Sequence, residues 1–329
     1  MSRSSGRREA DAGPLRPITD ALADGARHLG IPDGAALLLA ISGGPDSTAL
    51  LHGAARLAPI RGWHLTVAHL DHALRAASAD EAAGVAAAAV LLGLPVEVQR
   101  TDVAALAASE HRSLEDAGRQ ARYRFFEDAA ARFGADTLIA TAHTADDAAE
   151  TVLLRLARGS GLRGVRGIPA RRGRIVRPLL GVRRAVLRSA LDAAGIEYVT
   201  DPSNANPAYA RNRLRADLLP ALERLNPAAV EALLRFGRLA ADDDDLLDAL
   251  AAAELAQRRD PQDASIDWRR PPVRALGRRV LRLALGEPAP SAERLEALLD
   301  AAEGPRGGLS IELSGGRRGS VRGRRIRLV

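Results

Sequence analysis

At 329 residues the chain is long enough for two domains, or one large one, each able to bury a core. Hydrophobic residues at 47% and charged residues at 27% exclude a chain disordered throughout, and aromatics at 3% point to cores built from Ala, Leu and Val. A formal charge of +6 is compatible with a nucleic-acid partner without indicating one, while the absence of Cys and Lys excludes thiolate metal sites, iron–sulfur clusters, cysteine nucleophiles, lysine Schiff bases and the lysine of GxxxxGK phosphate loops.

Residues 1–14 carry charge with no apolar run behind it, which reads as a solvated tail and not a signal peptide. The longest apolar runs, Ala35 to Ile41 and Val85 to Leu92, are far short of the ~20 residues that span a bilayer. No membrane partner is expected, and a cytoplasmic location is the default. From about Gly30 to Thr200 short β-type runs alternate with helical ones. The strands are expected at Ala36 to Ile41, His64 to His69, Pro95 to Gln99 and Asp136 to Thr141. Helices are expected at Thr48 to Leu57, Ser78 to Leu92 and Ser113 to Phe133. The pattern predicts an α/β fold with a doubly wound parallel sheet, whose ligands bind where the strands end.

After the first strand comes Ser42-Gly43-Gly44-Pro45-Asp46-Ser47, running directly into a helix. Two glycines allow close backbone approach, and the free N–H groups and dipole of a helix start favour an anion, so the turn reads as a phosphate cradle. Asp46 beside phosphates implies a divalent cation, Mg²⁺, between the like charges. The alternative is an ordinary capped strand-to-helix turn. Within Ser113 to Tyr123, Glu115, Arg119 and Arg122 lie at i, i+4 and i+7. That spacing makes a surface ion-pair ladder, or an arginine that neutralises phosphate. After the fourth strand, His143, Asp147 and Glu150 fall on one face if a helix begins there. They are either a titratable cluster in the same crevice or acids that merely suit a helix start.

Downstream, Arg158 to Pro169 is rich in Gly and Arg, including Arg163 and Arg166, and Arg171, Arg172, Arg174 and Arg177 follow. Such a segment suits tracking a phosphodiester backbone, with order gained on binding, or is a plain surface loop. Turn formers from Asp201 to Pro207 mark a boundary. The expected organisation is a catalytic domain at 15–208, a linking helix at 209–226 containing Arg211 and Arg215, and a mostly helical domain at 227–329 ending in short Arg-rich strands. Asp242 to Asp245 reads as a solvated helix face. The Arg211–Arg215 and Arg317–Arg327 clusters, with the Gly/Arg segment, suggest one extended anionic partner.

SGGPDS, HLDHALR (His69 to Arg75), LED…R…RY, TAHTADDAAET, RGSGLRGVRGI, RPLL and DPSN…RNRLR stand in this order over most of 36–216. Together they resemble the PP-loop ATP pyrophosphatase family, and the later blocks resemble its lysidine-forming branch. The resemblance implies the adenine nucleotide α-hydrolase-like fold and ATP-dependent ligation of free L-lysine to the wobble cytidine of tRNA(Ile) with a CAU anticodon, through an adenylated cytidine. It implies that Ser42 to Ser47 hold ATP with Asp46 on Mg²⁺, and that Arg119 stabilises phosphate charge. His143 and Asp147 would flank the cytosine, Asp147 and Glu150 would take the lysine, and Arg163, Arg166, Arg211 and Arg215 would contact tRNA. Thr144 stands where many members have a second His. The end of the chain is similar to the first C-terminal domain of longer members, so a short form is expected, with a second copy of the chain as a candidate partner. Cys-dependent tRNA thiolation in the same family is disfavoured because the chain has no Cys.

Overall fold

The computed structural model describes residues 13–73, 78–200, 206, 208–286, 290–304, 308–313 and 316–328. The tail up to residue 12, Leu74 and Arg75 of HLDHALR, and most of the Asp201–Pro207 turn cluster lie outside the described residues. The chain divides into two compact units, Met1–Gly237 and Arg238–Val329.

The first unit opens with α1 (Arg16–His28), an amphipathic helix the strand-and-helix alternation does not announce. Then follow β1 (Ala36–Ala40), α2 (Pro45–Arg61), β2 (His64–Asp71), α3 (Ser78–Leu91), β3 (Val96–Arg100), α4 (Val103–Ser109), α5 (Leu114–Phe133) and β4 (Leu138–Thr141). Next come α6 (Ala145–Ala157), the single turn α7 (Leu162–Val165), β5 (Arg171–Arg172), β6 (Ile175–Val176) and α8 (Arg184–Ala193). The sheet runs β3-β2-β1-β4-β6-β5, parallel except for β5. The order reverses between β1 and β4, which makes the crevice beyond their carboxyl ends the natural ligand position.

Alternation along β1 fixes the layering. Leu37 and Leu39 face a core shared with Ile18, Leu22, Leu50 and Leu191, and Leu38 faces Phe125, Phe126 and Ile139 on the other side. α1 can lie against the segment before α8 because residue 25 is Gly: a Cβ there would stand 1.8 Å from the Pro178 carbonyl oxygen.

Two strands more than expected join this sheet, and both come from the Gly/Arg-rich segment. Ile175 and Val176 are buried and pair beside β4, Ile139 with Ile175, and Gly173 at φ +58° turns the chain from β5 back into β6. This part of the segment is therefore built into the fold instead of forming a loop over the surface. Arg177, grouped by sequence with the backbone-tracking arginines, is 3% exposed.

The expected linking helix is α9 (Ala210–Arg213), a π-turn at Leu214–Leu218 and α10 (Leu219–Leu225), all inside the first unit. The wider turn coincides with Pro220, whose missing N–H leaves the Ala216 carbonyl without its usual donor. The unit boundary falls within α11 (Ala229–Arg258), beyond Pro227 where the sequence places the second domain. The reason is apolar packing, since Val230, Leu233 and Leu234 join Ala145, Ala149 and Leu219 in one cluster.

The second unit packs Trp268, Val280, Leu281, Leu298, Leu299, Val321 and Ile326 between helices at Arg274–Leu285 and Ala292–Glu303 and a four-stranded antiparallel sheet. The acidic run is not wholly a solvated face: Asp244 is buried and meets Arg279 at 2.6 Å. Arg325 and Arg327 of the C-terminal cluster pair with Asp260 and Asp263.

Candidate active site

At the end of β1 the chain turns through Gly43, whose φ of +84° requires glycine, and enters α2 at Pro45. Gly44 caps the helix with no side-chain acceptor, so first-turn N–H groups stay available to an anion. The serines brace this turn. Ser47 Oγ donates to the Gly44 carbonyl at 2.9 Å and accepts from the Ser42 N–H at 3.2 Å, and Ser42 Oγ lies 3.1 Å from it. The Gly43 carbonyl in turn accepts from the Val199 N–H at 2.9 Å.

At the end of β4 the helix starts at Ala145, two residues later than an arrangement with all three side chains on one helix face requires. Thr144 is its cap: its N–H and hydroxyl donate to Asp147 Oδ2 at 2.8 and 2.9 Å, and its hydroxyl accepts from the Asp147 N–H at 3.4 Å. Asp147 and Glu150 therefore lie on α6, whereas His143 precedes the cap and is held by Thr141, Oγ1 to Nδ1 at 2.9 Å. Burial lowers His143 to about 4; Asp147 opposes the shift, and Arg177, Arg211 and Arg119 reinforce it. The ring is neutral at pH 7.

The residue that joins the two loops is Arg184, the first of α8. Its Nε donates to Asp46 Oδ2 at 2.9 Å, Nη2 to Asp147 Oδ1 at 2.8 Å and Nη1 to Glu150 Oε1 at 3.3 Å. Only 11% of its side chain is exposed. Its own backbone N–H is bound by Asp146 at 2.7 Å, and Asp146 also meets Arg183 at 3.3 Å. Sequence reasoning missed Arg184. The signal was two arginines opening a helix, where the dipole disfavours cations unless carboxylates face them.

Arg211 and Arg215, expected at tRNA, also turn to Glu150. Arg211 Nε donates to Oε2 at 2.8 Å; Arg215 Nε and Nη2 donate to Oε1 and Oε2 at 2.9 and 3.1 Å. Glu150 is fully buried under three guanidinium groups, while Arg211 keeps 41% of its side chain exposed and Arg215 32%. Asp46, Asp147 and Glu150 thus face Arg184, Arg211 and Arg215, three charges against three. Burial raises Asp46 despite Arg184. Burial pushes Asp147 up as well, but Arg184, the Thr144 N–H and Arg211 outweigh it and hold Asp147 below the usual range.

Arg119 is exposed on α5, its guanidinium carbon 5.0 Å from the Tyr123 ring centre, and it acts on His143. Arg163 lies exposed on α7, and Arg166 follows it half-buried. Neither stands in the Arg184 cluster. Among the described residues no group of three or more His, Asp or Glu is arranged to hold a metal, and no helix is long and apolar enough to cross a membrane.

A PP-loop domain family model matches residues 19–222. The chain is 46% identical to a tRNA(Ile)-lysidine synthase from Salinispora tropica, over 75% of each chain. It is 42% identical to that of Leifsonia xyli subsp. xyli, over 84% of this chain and 80% of the other. For the Thermobifida fusca protein of the same name the identity is 41%, over 88% and 90%. Among solved structures, a U34-tRNA thiolase from Methanococcus maripaludis superposes with a TM-score of 0.56 at 13% identity, over 69% of this chain and 80% of that one, a likeness of fold alone. With the loop after β1, the acids after β4 and these relatives in agreement, the chain belongs to the tRNA(Ile)-lysidine synthase family of PP-loop proteins.

Proposed function

We infer that the chain joins L-lysine to the wobble cytidine of the CAU anticodon of tRNA(Ile), consuming ATP and releasing AMP and pyrophosphate. The observation that carries this reading is the meeting of the nucleotide loop and the α6 acids on one guanidinium, Arg184. It brings an anion cradle and a set of carboxylates to the same crevice.

In the first step the cytosine C2 oxygen attacks the α-phosphate of ATP and pyrophosphate leaves. Backbone N–H groups at the start of α2 receive the leaving phosphates, and Arg119 offsets charge as it develops. Asp46 fits Mg²⁺: its Oδ1 is buried without a hydrogen-bond partner, and Mg²⁺ takes one or two carboxylates together with substrate phosphates. Such an ion would supply charge neutralisation. In the second step an amine of lysine attacks C2 and the AMP oxygen leaves. Asp147 is the carboxylate suited to the incoming ammonium, since it stays ionised and part of it reaches solvent. Neutral His143 has a ring nitrogen able to accept the proton the amine loses. Glu150 holds Arg184, Arg211 and Arg215 in place, which positions Asp147 and leaves the exposed part of Arg211 to the RNA.

The reaction is placed in the cytoplasm, with a second copy of the chain as the candidate protein partner, read by sedimentation with and without tRNA. The functional test combines purified chain, ATP, Mg²⁺, labelled L-lysine and unmodified tRNA(Ile) of CAU anticodon. ATP-dependent label in the tRNA is expected; its absence, with a family member active in parallel, would overturn the reading.

A further inference from the structure

Four arginines gather around Tyr123 with no carboxylate among them. Arg119 and Arg122 share a turn of α5 with it, Arg172 is in β5, and Arg177 follows β6. The guanidinium carbons of Arg119 and Arg172 are 5.0 and 5.2 Å from the ring centre. Arg177 interacts electrostatically with Tyr123 and donates from Nη1 to the Pro169 carbonyl at 2.6 Å, while its Nε is buried with no hydrogen-bond partner. Arg122 Nη2 lies 3.2 Å from His72 Nε2, a ring that burial and Arg122 together keep neutral. Among the described residues none of the four pairs with an acid.

Gathering like charges, one of them buried, costs free energy that an aromatic ring offsets only in part. Burial lowers Arg177, and Arg119 lowers both Arg177 and Arg122, as expected of cations that lack a counterion. The arrangement suits an anion. Tyr123 holds the planar groups in place, and with its ring engaged by guanidinium groups it serves as a scaffold for charge instead of a stacking platform.

The nucleotide phosphates have their own cradle after β1. β5 stands three strands away in the order β1-β4-β6-β5, roughly 14 Å at about 4.8 Å per strand. Arg119 and Arg177 also act on His143, so the cluster borders the position of the reacting base. We propose that Arg122 and Arg172, fixed around Tyr123 and reinforced by the buried charge of Arg177, bind a phosphodiester of the RNA substrate beside the reacting nucleotide. The proposal rests on the lysine-ligation reading for the identity of that RNA.

The test measures binding of the full chain to unmodified tRNA(Ile) of CAU anticodon across a salt series, alongside the KM for ATP and lysine incorporation. Arg172→Gln, at an exposed position, should weaken binding about fivefold and reduce the logarithmic salt slope by roughly 0.7, the value for one contact to a single strand. Arg172→Lys should keep the slope, Tyr123→Leu should lose affinity, and in Arg172→Gln the KM for ATP should stay at the wild-type value. Unchanged affinity and slope in both Arg172→Gln and an Arg122→Gln/Arg172→Gln variant would overturn the proposal. So would a raised KM for ATP with tRNA affinity intact, which would assign the cluster to the nucleotide. A wild-type chain that incorporates no lysine, yet loses slope on Arg172→Gln, would sink the functional reading and leave this site standing.

Discussion

Arg184 and Asp46, 138 positions apart in the chain, meet at 2.9 Å, and the same guanidinium continues to Asp147 and Glu150. Replacing it with Ala leaves three carboxylates in one partly desolvated space. Arg184→Ala should cost about 3 kcal/mol in denaturant unfolding and slow lysine incorporation about a hundredfold through misplaced acids. Arg184→Lys, a point charge without the fork, should fall between Ala and wild type in both. Wild-type stability and rate in the Ala variant would remove Arg184 from the site.

Asp46→Asn keeps the shape of the side chain and removes its charge. Pyrophosphate release should be abolished, with the loss persisting at saturating Mg²⁺. Near-normal release would show that the carboxylate does not hold the ion.

His143 has a folded pKa of about 4 against an ordinary value of 6.5. Between those values the unfolded chain binds the extra proton, so the contribution of this ring to stability is present above pH 6.5 and is lost as pH falls toward 4. Allowing for partial exposure, the loss is about 2 kcal/mol. An NMR titration should show two rings with midpoints near 4, those of His143 and His72; His143→Asn should remove one and leave the other, and the variant should have a shallower acid slope in unfolding. A His143 midpoint near 6.5 would contradict the buried neutral ring.

Thr144 caps α6 in a reciprocal arrangement with Asp147. Thr144→Ala should destabilise the chain by about 1 kcal/mol and raise the KM for lysine more than it lowers kcat, because Asp147 Oδ2 loses the Thr144 hydroxyl that helps fix it. An unaltered KM would separate the cap from the site.

Glu150 and Arg215 form a two-pronged pair beneath Arg211. A double-mutant cycle with Glu150→Gln and Arg215→Gln should give a coupling energy of about 2 kcal/mol. Additive losses would mean the pair is fortuitous.

Much of the sheet could be read from the sequence, because Leu37, Leu38 and Leu39 are buried on both faces and Gly43 marks a turn that needs φ above zero. The acids of the site were readable for the same reason: they follow strand ends. What escaped was tertiary. The partners of Arg184 come from α2 and α6, so the pair of arginines opening α8 signals carboxylates nearby without telling Arg184 from Arg183. Arg211 and Arg215 look like free cations until Glu150 appears beneath them. Ile175 and Val176 are too short a run to signal a strand without β4 beside them.

One edge of the main sheet is the strand Arg171–Arg172, two residues long and exposed. An open strand edge is a template on which another chain can add a strand, and shortness combined with charge is what blunts it. With the apolar pair Ile175–Val176 just inside, these arginines disfavour strand pairing along this edge, which leaves any contact between two copies of the chain to another surface. Arg172 would then serve both solubility and RNA contact, and replacing it with a β-branched apolar residue should show first as aggregation.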